Sequence, residues 1–468
     1  MFSRISSLIG PKPSALFGAI TFVVCFAGCD DAGRSVSPTA RPTPYRTARE
    51  NSAGRLAEDF DADVPLAYYE LSLEFSKRTA GFTPPVQSRA YAYMGLALYE
   101  ALVGGMPDQR SIASQLNGIG PLPIAHGVAY HWPLVANAAL AEVMRGLWGG
   151  ATNRAAENVA ALDALEAGLV SQYSGVPEGL ARRSIGFGHS VGAAVFATSR
   201  DDGGDEGYLK NFPTTYTPPT GPGLWVPLPG QIAMQPYWGT MVQTFALSSA
   251  AECNPGGPPT YAEAPGSEFY SQALEVHDLV TNATPEHVAI AKFWADGPGT
   301  ISGPGHSLSI TNQLLIQERA NLAVAAQAYA RVGLADADAI TALWRVKYVR
   351  NLIRPVTYIR QFIDASFNTI LPTPPFPEYV SAHSAQSAAA MTSLEDLFGR
   401  NVALVDHSHD ADGMPARSFD RLYAAAEEAG LSRLYAGIHY RAGNLDGQSL
   451  GRCVAAKVNA LRWRPRPG

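Results

Sequence analysis

The chain has 468 residues, of which 46% are hydrophobic and 16% charged, and its 35 Lys and Arg against 41 Asp and Glu give a net charge of −6. This composition excludes a largely disordered chain, because it supplies enough apolar side chains for a sizeable core. It also argues against a general nucleic-acid-binding protein, since that affinity comes mostly from Lys and Arg that neutralise phosphates. Any site for an anion must therefore be local.

The amino terminus, residues 1–29, is predicted to be a signal peptide. Arg4 and Lys12 supply positive charge, and the apolar or small-residue run from Ala15 to Gly28 is shorter than the ~20 residues of a membrane-spanning helix. Phe26-Ala27-Gly28-Cys29 resembles a bacterial lipobox, so Cys29 is the predicted lipidation site. An ordinary secretory signal is the alternative. Both interpretations place the mature protein outside the cytoplasm, in the periplasm or at the cell surface, and the lipobox adds a lipid anchor.

Residues 30–64 are rich in Ser, Pro, Thr, Arg and Ala without apolar periodicity, which predicts a flexible linker. Residues 65–468 are predicted to form an all-α body, because apolar residues recur at three and four positions and alternation of period two is scarce. The predicted helices are Leu66–Arg78, Val86–Val103, Val128–Leu147, Asn158–Tyr173, Leu180–Thr198, Glu268–Thr281, Pro285–Trp294, Ser307–Val332, Ala335–Leu352, His383–Phe398, Ser418–Ala429 and Gly447–Leu461. A Gly- and Pro-rich stretch from Asp201 to about Gly266 interrupts them and is predicted to be functional or to pack on the core.

Two features leave alternatives open. Cys253 and Cys453 are far apart in the chain, so an oxidising compartment permits a disulfide that their spacing does not indicate. The segment from Asp406 to Gly413 is dense in Asp and His but lacks the full calcium loop with its terminal Glu. It is either a metal site or a solvated polar loop.

A cationic run from Arg345 to Arg360 contains five Lys or Arg and no Asp or Glu. A solvated helix face is one explanation, and an anion site is the other. Lys347 and Arg354 are two helical turns apart, which predicts that they share one face of a helix before Pro355 ends or kinks it. Both side chains would then converge on one oxyanion.

Two further segments carry site chemistry. Ser381 stands where the N-cap of a helix belongs, so exposed backbone N–H groups and the helix dipole would face an anion there. His383, in the first turn, is a candidate for proton exchange, with a packing or capping role as the alternative. The third segment contains Arg433 and His439, six positions apart.

Taken together, the three segments resemble the signature of the vanadium-dependent haloperoxidases and the related type-two phosphatidic acid phosphatases: K-x6-RP, then P-S-G-H, then S-R-x5-H. Lys347 to Pro355, Ser381 to His383 and Ser432 to His439 follow this order. The chain departs from it at Val380, where Pro is usual, and at Ala382, where Gly is usual. The resemblance covers about residues 285–460 and implies the helical-bundle fold of these proteins.

The resemblance also implies a cofactor and a role for each residue. Vanadate would be the cofactor, with His439 bonded to its central atom and His383 as the acid/base group. The residues that would hold the oxyanion are Lys347, Arg354, Arg433, the Ser381 hydroxyl and the Ala382 N–H. Trp344 and Phe376 would line the halide pocket, with plain core packing as the alternative. Asp296 would pair with Arg433 or orient a histidine.

The activity implied is oxidation of halide by hydrogen peroxide to a hypohalous-acid equivalent, with a small organic molecule as an optional acceptor. A homodimer is a further expectation, and no nucleic-acid partner is expected. A phosphatase is the alternative, in which His439 attacks phosphorus and His383 protonates the leaving group. The matches at Phe293 to Gly297 and at Trp344 favour the haloperoxidase. A third alternative is an inactive anion-binding lipoprotein, whose site Ala382 has disabled.

Overall fold

The structure is a computed structural model that describes residues 54–150 and 153–465. The predicted signal peptide with Cys29 and the linker as far as residue 53 lie outside the described residues. The helices are α1 (Asp63–Arg78), α2 (Pro84–Leu102), α3 (Trp132–Gly149), α4 (Ala155–Gln172), α5 (Glu178–Ser199), α6 (Tyr237–Thr240), α7 (Glu268–Thr281), α8 (Pro285–Phe293), α9 (Ser302–Gln317), α10 (Leu322–Arg350), α11 (Pro355–Phe362), α12 (Ala382–Phe398), α13 (Leu422–Tyr435) and α14 (Arg441–Asn459). This architecture confirms the all-α class. None of these helices is long and apolar enough to cross a membrane.

The helical body begins before residue 65. Ala57 is fully buried, and the carbonyl oxygen of Phe60 accepts a hydrogen bond of 2.8 Å from the N–H of Leu322. Helix α1 itself begins at Asp63. The last residues of the predicted linker therefore belong to the folded body.

Helix α10 differs most from the sequence prediction. The prediction separated two helices at residues 333–334 and continued the first of them through residue 320. The chain instead breaks between α9 and α10, where Arg319 has a φ of 50° and the side chain of Asn321 caps α10 by accepting from the N–H of Val324 at 2.9 Å. Gly333 lies inside the helix, where a Cβ would come within 2.7 Å of the Tyr91 carbonyl oxygen in α2. The glycine allows α2 and α10 to approach closely and does not break the helix.

A small sheet also departs from the prediction. Strands β1 (Leu404–Asp406) and β2 (Arg417–Phe419) pair in antiparallel register, with Val405 opposite Ser418. The helix predicted to start at Ser418 therefore starts at Leu422, because the preceding residues give their backbone bonds to β1. The loop between the strands contains the Asp- and His-rich segment.

The Gly- and Pro-rich stretch packs on the core, as expected. Trp225 and Trp238 are buried. Further along, the carboxylate of Asp338 in α10 accepts three backbone hydrogen bonds of 2.6, 2.7 and 2.9 Å, from the N–H groups of residues 245, 246 and 247. One buried side chain thus fixes this part of the stretch against the central helix.

The structure shows whether the two cysteines of the helical body are bonded to each other. Cys253, in the same stretch, and Cys453, in α14, form a disulfide with a Cα–Cα distance of 5.8 Å. Replacing both cysteines with serine is expected to lower the free energy of unfolding by about 2–4 kcal/mol, because the crosslink restricts the unfolded chain. Thermal denaturation with and without reductant measures this effect. A wild-type midpoint that reductant leaves unchanged would contradict it.

Candidate active site

The two cations of the first motif converge, although not in the predicted way. The prediction of a shared helical face is wrong, because α10 ends at Arg350 and Asn351 takes a left-handed conformation with a φ of 44°. Arg354 is extended, since the residue before a proline is disfavoured in the helical region. Even so, the Lys347 Nζ and the Arg354 Cζ lie 5.1 and 5.0 Å from the ring centroid of Phe376.

Lys347 is fully buried near the end of α10. Its ammonium donates to the carbonyl oxygens of Pro377 at 3.0 Å and Glu378 at 2.9 Å, and to that of Val380 at 2.5 Å. Its three N–H groups are therefore occupied by the segment that leads to Ser381. Burial, with the nearby positive charge of Arg354, holds the pKa of Lys347 well below its usual value. The ammonium both fixes this segment and brings a positive charge to the site.

The two guanidinium groups are buried and only partly hydrogen-bonded. Arg354 donates through Nε to the Phe376 carbonyl oxygen at 2.9 Å and through Nη1 to that of Ile438 at 2.8 Å, while its Nη2 has no partner among the described residues. Arg433, in α13, donates through Nη1 to the Trp294 carbonyl oxygen at 2.6 Å, and its Nε has no partner in the part of the chain that the structure describes. Burial lowers the pKa of Arg354 to about 9 and that of Arg433 to about 10. Buried donors without acceptors are costly unless a ligand meets them.

The middle motif forms the start of α12, as predicted. Ser381 is the N-cap, and its side-chain oxygen accepts from the N–H of Ser384 at 3.4 Å. Ala382 and His383 are the first residues of the helix, where backbone N–H groups have no partner within the helix. Ala382 has no positive φ, so its Cβ is compatible with the backbone conformation that the helix start requires.

His439 lies in the turn between α13 and α14, between the carboxylate of Glu378 and the guanidinium of Arg354. Its Nδ1 is 2.8 Å from the Glu378 Oε1, and its Nε2 is 3.2 Å from the Arg354 Nη1. Because a guanidinium only donates, Nε2 must be the acceptor, and Nδ1 carries the proton that Glu378 accepts. Burial and the charge of Arg354 hold the pKa of His439 well below its usual value. The imidazole is therefore neutral, with the Nε2 lone pair directed into the cationic site.

His383 is held by Asp296, which lies just after α8. The His383 Nε2 is 3.1 Å from the Asp296 Oδ2, so Nε2 donates and Nδ1 keeps a lone pair. Burial and the charge of Arg433 lower the pKa of His383 to about 4, against the effect of Asp296. Of the two roles predicted for Asp296, the structure shows the orientation of a histidine.

The two aromatic residues predicted for a halide pocket lie together. The ring centroids of Trp344 and Phe376 are 5.0 Å apart, and Trp344 Nε1 donates to the Gln235 carbonyl oxygen at 2.9 Å. Phe376 also contacts the two cations of the first motif. These contacts place both rings beside the site and are equally compatible with core packing.

Sequence reasoning missed three residues that contact the site: Glu378, His306 and His409. Glu378 stands next to the quoted motif, but no spacing identifies it as the partner of His439. His306 and His409 both contact the Asp296 Oδ1, at 3.0 and 3.3 Å. The Asp- and His-rich segment from Asp406 to Gly413 was a signal for His409, and no pattern found in the sequence indicated His306.

The fold and this site define a class: an all-helical protein with a buried cationic centre, suited to an oxyanion and flanked by two neutral imidazoles. No curated protein sequence matches the chain significantly. Residues 327–464 match the family model of the VCPO second helical-bundle domain.

Solved structures extend the likeness to most of the chain. The crystal structure of the first bacterial vanadium-dependent iodoperoxidase has 30% sequence identity and a TM-score of 0.77, covering 87% of this chain and 98% of that one. A bacterial vanadium-dependent chloroperoxidase shares the fold in its holo and apo forms, with 14% and 16% identity and TM-scores of 0.62. These cover 82% and 81% of this chain, and 93% and 92% of the chloroperoxidase chains. The chain belongs to the vanadium-dependent haloperoxidase family.

Proposed function

We propose that the protein is a vanadate-dependent haloperoxidase, which oxidises halide with hydrogen peroxide to a hypohalous-acid equivalent. One observation carries this proposal: three buried cations, Lys347, Arg354 and Arg433, act on a neutral histidine, His439. Each of the two guanidinium groups retains an N–H donor with no partner within the described ranges. The nearby carboxylates, Glu378 and Asp296, are each engaged by a histidine. The charge balance and the free donors both call for an anion.

The residues fit vanadate, which is an anion rich in acceptor oxygens. Planar guanidinium groups and an ammonium suit such an anion, and each hydrogen bond to a charged group contributes ~1.5–3 kcal/mol. Arg354 and Arg433 would bind through the N–H groups that lack partners, and the start of α12 would add N–H donors. Lys347 would contribute mainly charge, while the His439 Nε2 would be the ligand to vanadium. Bound vanadate would activate hydrogen peroxide toward attack by halide without a change in metal oxidation state.

The remaining chemistry belongs to His383. With a pKa of about 4, the imidazole is neutral near pH 7 and its Nδ1 is a proton acceptor. The Asp296 carboxylate accepts from the His383 Nε2, which keeps the proton on Nε2 and the lone pair on Nδ1. His383 would therefore take a proton from hydrogen peroxide and return it during oxidation of the halide.

The decisive experiment assays the purified protein with hydrogen peroxide and iodide, bromide or chloride, with and without vanadate. Halogenation that depends on all three components is expected, beginning with iodide, the most easily oxidised of these halides. A phosphate-ester assay run in parallel tests the phosphatase alternative. Phosphate release without halogenation would overturn the proposal, and vanadate binding with neither activity would favour the inactive lipoprotein.

Glu378 is expected to strengthen His439 as a ligand. Replacing Glu378 with Gln keeps an acceptor for the Nδ1 proton but removes the charge that makes the imidazole more basic. We expect vanadate affinity to fall about 10-fold, the low end of the usual 10–100-fold effect, because removing a carboxylate near an anion site offsets part of the loss. Equilibrium dialysis of vanadate measures the change.

Asp446 provides the matched control. Its carboxylate accepts from the Tyr379 hydroxyl at 2.7 Å. Burial raises the pKa of Glu378 and the charge of Asp446 adds to that rise, but no bond joins Asp446 to His439. Asp446→Asn should therefore leave vanadate affinity unchanged or slightly higher. Equal losses in the two variants would contradict the orienting role of Glu378.

Export, a lipid anchor at Cys29 and a homodimer complete the proposal. The positively charged and apolar amino-terminal sequence supports export, and so does the Cys253–Cys453 disulfide, since such bonds persist mainly in oxidising compartments. Cys29→Ala should move the protein from the membrane fraction to the soluble fraction. Continued partition of this variant with membranes would contradict lipidation. Light scattering of the purified protein tests whether it is a dimer.

A further inference from the structure

A cluster of histidine and aspartate side chains lies behind His383 and takes no direct part in holding an oxyanion. Its centre consists of Asp296, His306 and His409, whose side chains are only 1%, 2% and 1% exposed. The Asp296 Oδ1 is 3.0 Å from the His306 Nδ1 and 3.3 Å from the His409 Nε2. One donor atom from each of the three residues lies within 4.8 Å of the others.

The second nitrogen of each imidazole faces a carboxylate of its own. The His306 Nε2 is 2.8 Å from the Asp406 Oδ2, and the His409 Nδ1 is 2.8 Å from the Asp412 Oδ2. Histidines that ligate metals almost always donate their other N–H to such a partner, which fixes the tautomer and raises ligand basicity. Both histidines therefore have the environment of a metal ligand.

Counting the protons shows what a cation would replace. All four ring nitrogens face carboxylate oxygens, but a neutral imidazole has only one N–H. Hydrogen bonds alone would thus require two imidazolium ions with ring centroids 5.0 Å apart, buried against Phe293 and Trp294. One divalent cation carries the charge of the two protons that it would replace. Each ring would then be neutral, with its single N–H directed to its own carboxylate.

We propose that Asp296, His306 and His409 bind a divalent transition-metal ion of the zinc class. Two imidazoles and a carboxylate suit Zn²⁺ or Co²⁺ better than Mg²⁺ or Ca²⁺, which prefer oxygen ligands alone. The separations of 3.0 and 3.3 Å are close to the ~3.3 Å between donors bound 2.0–2.1 Å from a tetrahedral zinc ion. The ion would tie the loop after β1 to Asp296, whose other oxygen faces His383.

The test uses the purified protein without vanadate, so its outcome is independent of haloperoxidase activity. The protein is stripped with a chelator, incubated with Zn²⁺ and separated from free metal, and its metal content is measured. We expect about one equivalent of zinc, because the three donors form one tetrahedral site with a fourth position for water. Substitution with Co²⁺ should give the visible absorption of tetrahedral cobalt. A stripped wild type that takes up no zinc would overturn the proposal.

The same loop offers a matched control. His407 pairs with Asp410 at 2.9 Å with the same spacing as His409 and Asp412, but its side chain is 54% exposed. His409→Gln should abolish zinc retention, Asp412→Asn should weaken it about 10–100-fold, and His407→Gln should leave it intact. Circular dichroism verifies that each variant is folded. Zinc retention by folded His409→Gln equal to that of His407→Gln would refute the assignment.

Discussion

Replacing His439 with alanine is expected to abolish vanadate retention and halogenation while leaving the fold intact. The Nε2 lone pair is directed into the cationic site and is the proposed ligand to vanadium. Loss of a ligand should weaken vanadate affinity by more than about 100-fold, the upper limit for loss of a supporting contact. Equilibrium dialysis and a halogenation assay measure the two effects.

A distant histidine serves as the control. His189, in α5, contacts Glu142 and Glu166, and neither of these residues belongs to the three motifs. His189→Ala should keep wild-type vanadate affinity and activity. An unchanged vanadate stoichiometry and affinity in folded His439→Ala would rule out its role as the ligand.

The largest loss of stability is expected from Asp338→Ala in α10. The change leaves three buried backbone N–H groups, at residues 245 to 247, without their acceptor. Each such group costs about 1–3 kcal/mol, and relief from burying a carboxylate offsets part of the sum. We expect the free energy of unfolding to fall by roughly 3–5 kcal/mol, a large share of the usual 5–15 kcal/mol, in urea denaturation.

Asp336, on the same helix, allows a matched comparison. It is also buried, but its Oδ1 has no partner within residues 54–150 and 153–465, and burial holds its pKa well above the usual value. Asp336→Ala removes a carboxyl group that anchors no loop, so we expect a loss of no more than about 1 kcal/mol. Equal losses in the two variants would show that the backbone bonds to Asp338 are not what stabilises the structure.

The three motifs illustrate how much of the site could be predicted. Their order and spacing identified residues that the fold brings together, including the N-cap at Ser381. For Asp296 the resemblance left two roles open, and the structure shows its contact with His383. The reason given for the convergence of Lys347 and Arg354 was nevertheless wrong. The helix ends at Arg350, and the two side chains meet at Phe376 because the chain turns before Pro355.

The Asp- and His-rich loop shows where prediction from sequence stops. Its two explanations were a solvated loop and a metal site, and the structure exposes one of its histidines and buries the other. His407 points to solvent with Asp410, while His409 is buried beside Asp296, 113 positions away in the chain. No local pattern distinguishes two histidines that are two positions apart in a polar segment.

The sequence by itself determined the helical class, the cationic run and the order of the motifs, because periodicity, capping and spacing act within a few turns of the chain. The net charge of −6 gives no sign of three cations buried in one place. The tertiary structure alone decided the Cys253–Cys453 bond, the Glu378–His439 pair and the packing of Gly333 on α2. Each of these contacts joins segments that are distant in the chain. Which of their side chains and backbone groups meet is decided only when those segments pack together.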